Sequence, residues 1–130
     1  MGTLKQRDAA QFECPVEGFQ TLTGGKYRLR ILWELKGGPL RYGELKTAIA
    51  ASMGNKTIAA RILSRDLKEL AQRSMIQRED HGTVPLHVEY SLTDVGKTFL
   101  PVLKAIHRWG VEHLVKQSVV DALAGKRAGK

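Results

Sequence analysis

In the stretch from Thr57 to Ile76, Arg61, Ser64, Arg65, Lys68 and Gln72 can donate hydrogen bonds to anions and base edges. At about 100° per residue they fall on one narrow face of a helix, and Ala59, Leu63, Leu67 and Leu70 fall opposite. Arginine can grip guanine through two parallel N–H donors, while lysine and serine hold phosphates. The face therefore suits a helix laid in the major groove of DNA. An ordinary solvated face has the same composition, so the rest of the chain must decide between them.

Other chemistry finds little to run on. The sequence has no P-loop, dinucleotide fingerprint, nucleophile elbow or H-E-x-x-H motif, and no convergent acid, base and nucleophile set can be assembled, so an enzyme is the least expected class. The single cysteine, Cys14, excludes an internal disulfide and a Cys-based zinc cluster. The histidines His81, His87, His107 and His113 show no ligand spacing with it, so neither a structural metal nor a cofactor is expected.

Charge points to a polyanionic partner. Lys and Arg number 21 against 13 Asp and Glu, a formal net charge of +8, with a sequence pI near 9.9. Nucleic acid is the first candidate and an anionic membrane surface the second. No apolar run is long enough to span a bilayer, and the opening M-G-T-L-K-Q-R-D lacks the apolar core of a signal peptide, so a cytoplasmic location without a membrane partner is expected. With 42% hydrophobic and 26% charged residues in 130, the chain has the makings of one folded domain.

The elements that would position the basic face follow from periodicity and punctuation. Residues 1–13 read as a polar, flexible arm. Cys14-Pro15 starts a helix that presents Val16, Phe19 and Leu22 and stops at Thr23-Gly24-Gly25. A second helix runs from Lys26 to about Lys36, ended by Gly37-Gly38-Pro39, and a third from Arg41 to about Ala51, with Tyr42, Leu45 and Ile49 on one side. After a loop at Ser52-Met53-Gly54-Asn55, Asn55 or Thr57 is placed to cap the helix with the basic face. Two helices around a Gly-containing turn make a helix-turn-helix candidate, although this turn is long for the motif.

Next come two strands, Met75 to Glu79 and Leu86 to Leu92, joined by a polar tip from Asp80 to Pro85. The tip, with His81, Gly82 and Thr83 and with Arg78 beside it, is small enough to reach a phosphate or a minor groove. A hairpin that only closes the core is the alternative. Thr93 can cap a last helix carrying Val95, Phe99, Val102, Leu103, Ile106, Trp109 and then Leu114, which Pro101 should kink or split in two. That apolar stripe exceeds the needs of a small core, so part of it is expected to face a second subunit, burial within the chain being the alternative. The tail, residues 116–130, ends A-G-K-R-A-G-K and is basic enough for non-specific phosphate contact. The expected fold is mainly α with a small β-hairpin: a winged helix-turn-helix over residues 14–115 that includes added terminal helices.

Six ordered pieces make the order more specific: C-P-V-E from Cys14, G-G-K-Y-R-L-R-I-L from Gly24, G-P-L-R-Y-G-E-L-K from Gly38, L-S-R-D-L-K-E-L from Leu63, V-E-Y-S-L-T-D-V-G-K from Val88, and Trp109-Gly110. In these the chain resembles the HxlR-type winged helix-turn-helix transcriptional regulators of bacteria and archaea. The resemblance implies a homodimer built through N- and C-terminal dimerisation helices, each subunit placing one recognition helix in a major groove of double-stranded DNA and one wing along the backbone or minor groove. It puts the recognition positions on Ala59, Ala60, Arg61, Ser64, Arg65 and Lys68, and the wing tip on His81, Gly82 and Thr83. Lys56 and Thr57, at the start of the helix, and Arg78 complete the candidate DNA contacts.

Three features depart from the family pattern. The segment from Ala50 to Thr57 is longer than the expected turn, Ala59 stands where a capping serine is common, and Ser74 replaces a glycine. Cys14 carries a further expectation. A thiol at a helix N-terminus lies at the positive end of the helix dipole, which favours the reactive thiolate. Some members that this chain resembles use a cysteine here to sense oxidants or electrophiles through intersubunit disulfides or adducts; a small buried hydrophobe is the other reading. An oxidant or small-molecule effector is therefore open.

The leading expectation is a dimeric, sequence-specific DNA binder that regulates transcription. A non-specific architectural DNA-binding protein and a winged-helix protein-interaction module are the alternatives.

Overall fold

The computed structural model describes residues 12–82, 84–85 and 87–115. The polar arm up to residue 11, the basic tail and Thr83 of the expected wing tip lie outside them. The chain divides into two compact units between Thr98 and Phe99.

The first unit is mostly helical with one small sheet. Helix α1, Pro15–Thr23, begins at an extended Cys14 with Pro15 in its first turn, where the missing N–H costs nothing. Helix α2, Arg28–Glu34, tightens into a 3-10 turn, Leu35–Gly37, and Gly38 at φ 128° turns the chain away. A two-residue strand β1, Leu40–Arg41, precedes α3, Tyr42–Ser52, and α4, Ala60–Gln72. Strands β2, Ile76–Asp80, and β3, Val88–Leu92, follow, then the short α5, Asp94–Thr98. The sheet is antiparallel in the order β1-β3-β2, so the expected hairpin has a third strand that its sequence was too short to signal.

The core lies between α2, α3, α4 and the sheet. Ile31, Leu32, Leu45, Ile49, Leu63, Leu67, Leu70 and Ile76 are buried, each stabilising the fold by about 1.5–3 kcal/mol relative to exposure.

Helix α4 is shorter at both ends than the sequence predicts. Asn55 does not cap it. With Gly54 in the left-handed region at φ 77°, the Asn55 N–H returns to Ala50 O at 2.7 Å and the Gly54 N–H to Ala51 O at 3.3 Å, a Schellman closure of α3. Asn55 thus belongs to the helix before. Neither does Thr57, because the N-cap is Ala59, extended at φ −74° and ψ 99° and without a side-chain cap. At the other end the Ser74 N–H reaches Ala71 O and the Met75 N–H reaches Leu70 O, both at 3.0 Å, with Ser74 left-handed at φ 66°. This is a second Schellman closure, and it explains why a glycine would suit position 74.

Thr93 joins the pieces that follow. Its hydroxyl accepts the Gly96 N–H at 2.9 Å, capping α5 as expected, and donates to the carbonyls of Ser74 and Met75. Gly96 approaches Met75 O so closely that a Cβ would have no room.

The second unit is described by α6, Leu100–His113. The expected long helix is split, and Pro101 sits in the first turn of α6, where it breaks no hydrogen bond. Leu103 is buried, whereas Val102, Ile106 and Trp109, at helical spacing on one side, are 43%, 40% and 55% exposed. Among the described residues no helix is long and apolar enough to cross a membrane.

Candidate nucleic-acid interface

Helix α4 presents the divided faces that its sequence implies. Leu63, Leu67 and Leu70 are buried, and Arg61, Ser64, Arg65, Lys68 and Gln72 are exposed. None of these five outward side chains makes a hydrogen bond or ion pair with another described residue. Ala60 is exposed and Ala59 half-buried, while Lys56 and Thr57 lie exposed in the chain ahead of the helix rather than on it.

What holds the helix from behind is a charged residue on its apolar side. Asp66 is completely buried, accepting the Tyr27 backbone N–H at 2.9 Å and Arg28 Nε at 3.1 Å. Arg28 also donates through Nη1 to Thr21 O at 3.0 Å, linking the end of α1 to the middle of α4. The Tyr27 hydroxyl accepts the Ala59 N–H at 3.0 Å, so one tyrosine fixes both the start and the centre of the helix. Gly25 makes the approach possible, since a Cβ there would come within 2.8 Å of Asp66 Cγ.

The hairpin packs beside α4. Its register pairs Ile76 with Leu92, Arg78 with Tyr90, and Asp80 with Val88 on one face, and Gln77 with Ser91 and Glu79 with Glu89 on the other. Arg78 therefore lies in the strand before the tip, as its sequence implies. It sits mid-strand and lines, with Tyr90, Ser64, Leu67, Lys68 and Ala71, a cleft of about 270 Å³ between sheet and helix. Lys68 and Arg78 thus bring the basic face of α4 onto the wing.

At the tip, Gly82 is left-handed at φ 65° and donates its N–H to Asp80 Oδ1 at 2.9 Å. His81 is exposed, and its ring meets Glu89 and His87. Hydrogen bonds from His87 and then His81 hold the Glu89 carboxyl below the usual carboxylate range. Cys14 is exposed at the N-terminus of α1.

This arrangement of α3, a turn, α4 and a hairpin agrees with the comparison to known proteins. Residues 22–118 match the HxlR-like helix-turn-helix family. The chain belongs to that family. MalR of Fusobacterium mortiferum, a protein assigned a regulatory role, is 36% identical over 104 residues, covering 79% of this chain and 92% of MalR. A crystal structure from Porphyromonas gingivalis W83, assigned as a MarR-family transcriptional regulator, is 36% identical with a TM-score of 0.70, covering 78% of this chain and 94% of that one. The redox regulator HypR in its oxidised form is 30% identical with a TM-score of 0.69, covering 79% of this chain and all (100%) of HypR.

This HxlR-like chain is accordingly a transcriptional regulator of the winged helix-turn-helix type and not an enzyme. Sequence reasoning found the outward face of α4 but missed Asp66. The signal was present: Asp66 stands between Leu63 and Leu70 at helical spacing, and a carboxylate on an apolar face requires a partner. It also missed His87 and Glu89, two residues apart on a strand and hence on one side of it.

Proposed function

We propose that the chain acts as a homodimer that binds a specific double-stranded DNA site, each subunit laying α4 in a major groove and the β2–β3 wing along the neighbouring backbone or minor groove. The observation that carries this reading is the outward face of α4. Its arginines, serine and lysine are exposed and uncommitted to other described residues, while Asp66 and Tyr27 fix the helix behind them. Donors held in this way meet a groove without first giving up other partners. Arg61 and Arg65 read bases, Ser64 and Lys68 hold phosphates, and Arg78 extends the phosphate track towards the wing.

The dimer is supported by the apolar stripe of Val102, Ile106 and Trp109 on α6 and by exposed Val16 on α1. Two copies would supply two recognition helices for a two-fold DNA site.

The reading is tested by fluorescence anisotropy of the reduced protein on tiled duplexes from its own upstream DNA, with competitor DNA at near-physiological salt. One tile binding far more tightly than the rest is expected. Equal binding to every tile, vanishing as salt rises, would instead make the protein an architectural binder drawn by its net charge of +8.

Redox control through Cys14 is the second part of the reading, favoured by its exposure and by the likeness to a redox regulator, HypR. Two Cys14 thiols, one from each subunit, would give two electrons and two protons to an oxidant and join as a disulfide. Diamide, which is reduced to the hydrazine in the same step, should yield a covalent dimer on a non-reducing gel and change affinity for the preferred tile. Cys14→Ser should abolish both effects; an unchanged response in that variant would sink this part alone.

A further inference from the structure

The wing carries a group of side chains, the candidate DNA contact His81 among them, whose arrangement around one another DNA contact does not explain. The His81 N–H donates to His87 O at 2.9 Å, continuing the β2–β3 register one step past the strands and setting the two imidazoles opposite one another. Glu89 lies two residues beyond His87, on the same face of β3. The ring centroids of His81 and His87 are 4.5 Å apart. Their Nε2 atoms lie 3.3 Å and 3.0 Å from the two oxygens of Glu89. The three ligand atoms fall within 4.8 Å of one another, with each side chain about one-third open to solvent or slightly less.

We infer that His81, His87 and Glu89 form a binding site for a zinc-class divalent transition metal that ties the two strands of the wing together. Two imidazole nitrogens and one carboxylate are a donor set that suits zinc and neighbouring first-row dications rather than magnesium or calcium. A tetrahedral zinc with bonds near 2.1 Å needs ligand atoms about 3.4 Å apart, so a contraction on the order of 1 Å at the widest separation is enough. The remaining coordination position stays open to water, as partial exposure permits.

The site is not a chance meeting of neighbours in sequence. His81 reaches it only through the hairpin register, which also sets Arg41 on β1 and Glu79 on β2 across from Glu89. A bound dication would replace the two histidine hydrogen bonds to Glu89 with metal bonds and bring two positive charges to the tip. It would also fasten residue 81 to residue 87 across the tip. The inference concerns the metal alone and does not depend on the DNA reading.

Isothermal titration of zinc sulfate into the chelator-treated, dialysed full-length Cys14→Ser protein tests it, together with the imidazole resonances of its four histidines. One zinc per chain is expected, at micromolar affinity or tighter, with the resonances of His81 and His87 shifting and those of His107 and His113 unmoved. His87→Ala and Glu89→Gln should each weaken binding roughly tenfold or more, while His107→Ala leaves it unchanged; thermal unfolding in chelator confirms that each variant is folded. No saturable binding up to millimolar zinc overturns the inference and leaves a hydrogen-bonded wing. Binding that survives both His87→Ala and Glu89→Gln overturns it as well, by placing the metal elsewhere.

Discussion

The backbone N–H of Tyr27 donates to Oδ2 of Asp66 at 2.9 Å, a buried bond across 39 residues of chain. It joins the start of α2 to the middle of α4, so the helix that faces outward is registered by a main-chain donor that no substitution short of proline can remove. Arg28 completes the pair with a charge, and its side chain as a whole is 15% exposed.

Removing the carboxylate should therefore be costly. Asp66→Ala leaves Arg28 and the Tyr27 N–H without their acceptor, and a loss of about 3–5 kcal/mol is expected. Asp66→Asn keeps an oxygen for one donor and should lose less, about 1–3 kcal/mol. Urea unfolding with an unchanged m-value measures both. Equal losses would mean that the charge of Asp66 carries the whole effect.

Tyr27→Phe keeps the buried ring and deletes only the acceptor of the Ala59 N–H. Stability should fall by about 0.5–1.5 kcal/mol. Because the start of α4 loses its anchor, amide hydrogen exchange at Ala59 and its immediate neighbours should quicken before the rest of the helix. Uniform quickening along α4 would contradict that account.

Ser74 offers a stabilising change. It adopts φ 66° at the C′ position of a Schellman closure, where a Cβ is disfavoured by roughly 1–2 kcal/mol and glycine is not. Ser74→Gly should raise the urea midpoint by an amount equivalent to about 0.5–1 kcal/mol. A lower midpoint would show that the buried serine side chain contributes more than its backbone costs.

The outward donors of α4 should separate into two kinds. Arg61→Ala or Arg65→Ala is expected to cost about 1–3 kcal/mol on the preferred duplex and to relax one position of the site. Lys68→Ala should weaken all sequences alike and reduce the slope of log affinity against log salt by about one. Arginine variants that bind every duplex as the parent does would end the base-reading role.

Glu89 sets a pH dependence. Its carboxyl is held below the ordinary range, first by His87 and then by His81. A depressed folded value means that its stabilisation is present above the unfolded value and disappears as pH falls through the folded one. In chelator-treated protein, carbon-detected titration of Glu89 should give a midpoint below that of a free glutamate side chain, and His87→Ala should move it back up. A midpoint at the free value would remove this contribution to the wing.

Much of the fold was legible because its helices have one wet side and its breakers are strong. Pro15, Gly24, Gly38 and Pro101 all act where the sequence puts them, and Thr93 caps the helix it precedes. The start of α4 was not legible, since Asn55 is equally suited to begin a helix or to follow one, and only the bond to Ala50 O decides. β1 was hidden because two residues carry no period. At the interface, the outward side chains could be read from spacing alone, as exposure follows from it. Their support could not, because Tyr27 and Arg28 meet Asp66 only in space. The same holds for His81, whose place beside His87 depends on a register that the sequence of the tip leaves open.

The buried anchoring of α4 has one more consequence. Its fastening comes from the inward side, through Leu63, Asp66, Leu67, Leu70 and the N–H of Ala59. The outward positions bear no comparable share of folding, and exchanges on such surfaces usually alter stability by no more than about 0.5 kcal/mol. The residues that hold the helix and those that the proposed function assigns to DNA thus occupy separate sets of positions on it. Under that proposal, exchanging the side chains at positions 61, 64, 65 and 68 for those of a relative should change the preferred duplex and leave the urea midpoint nearly unmoved.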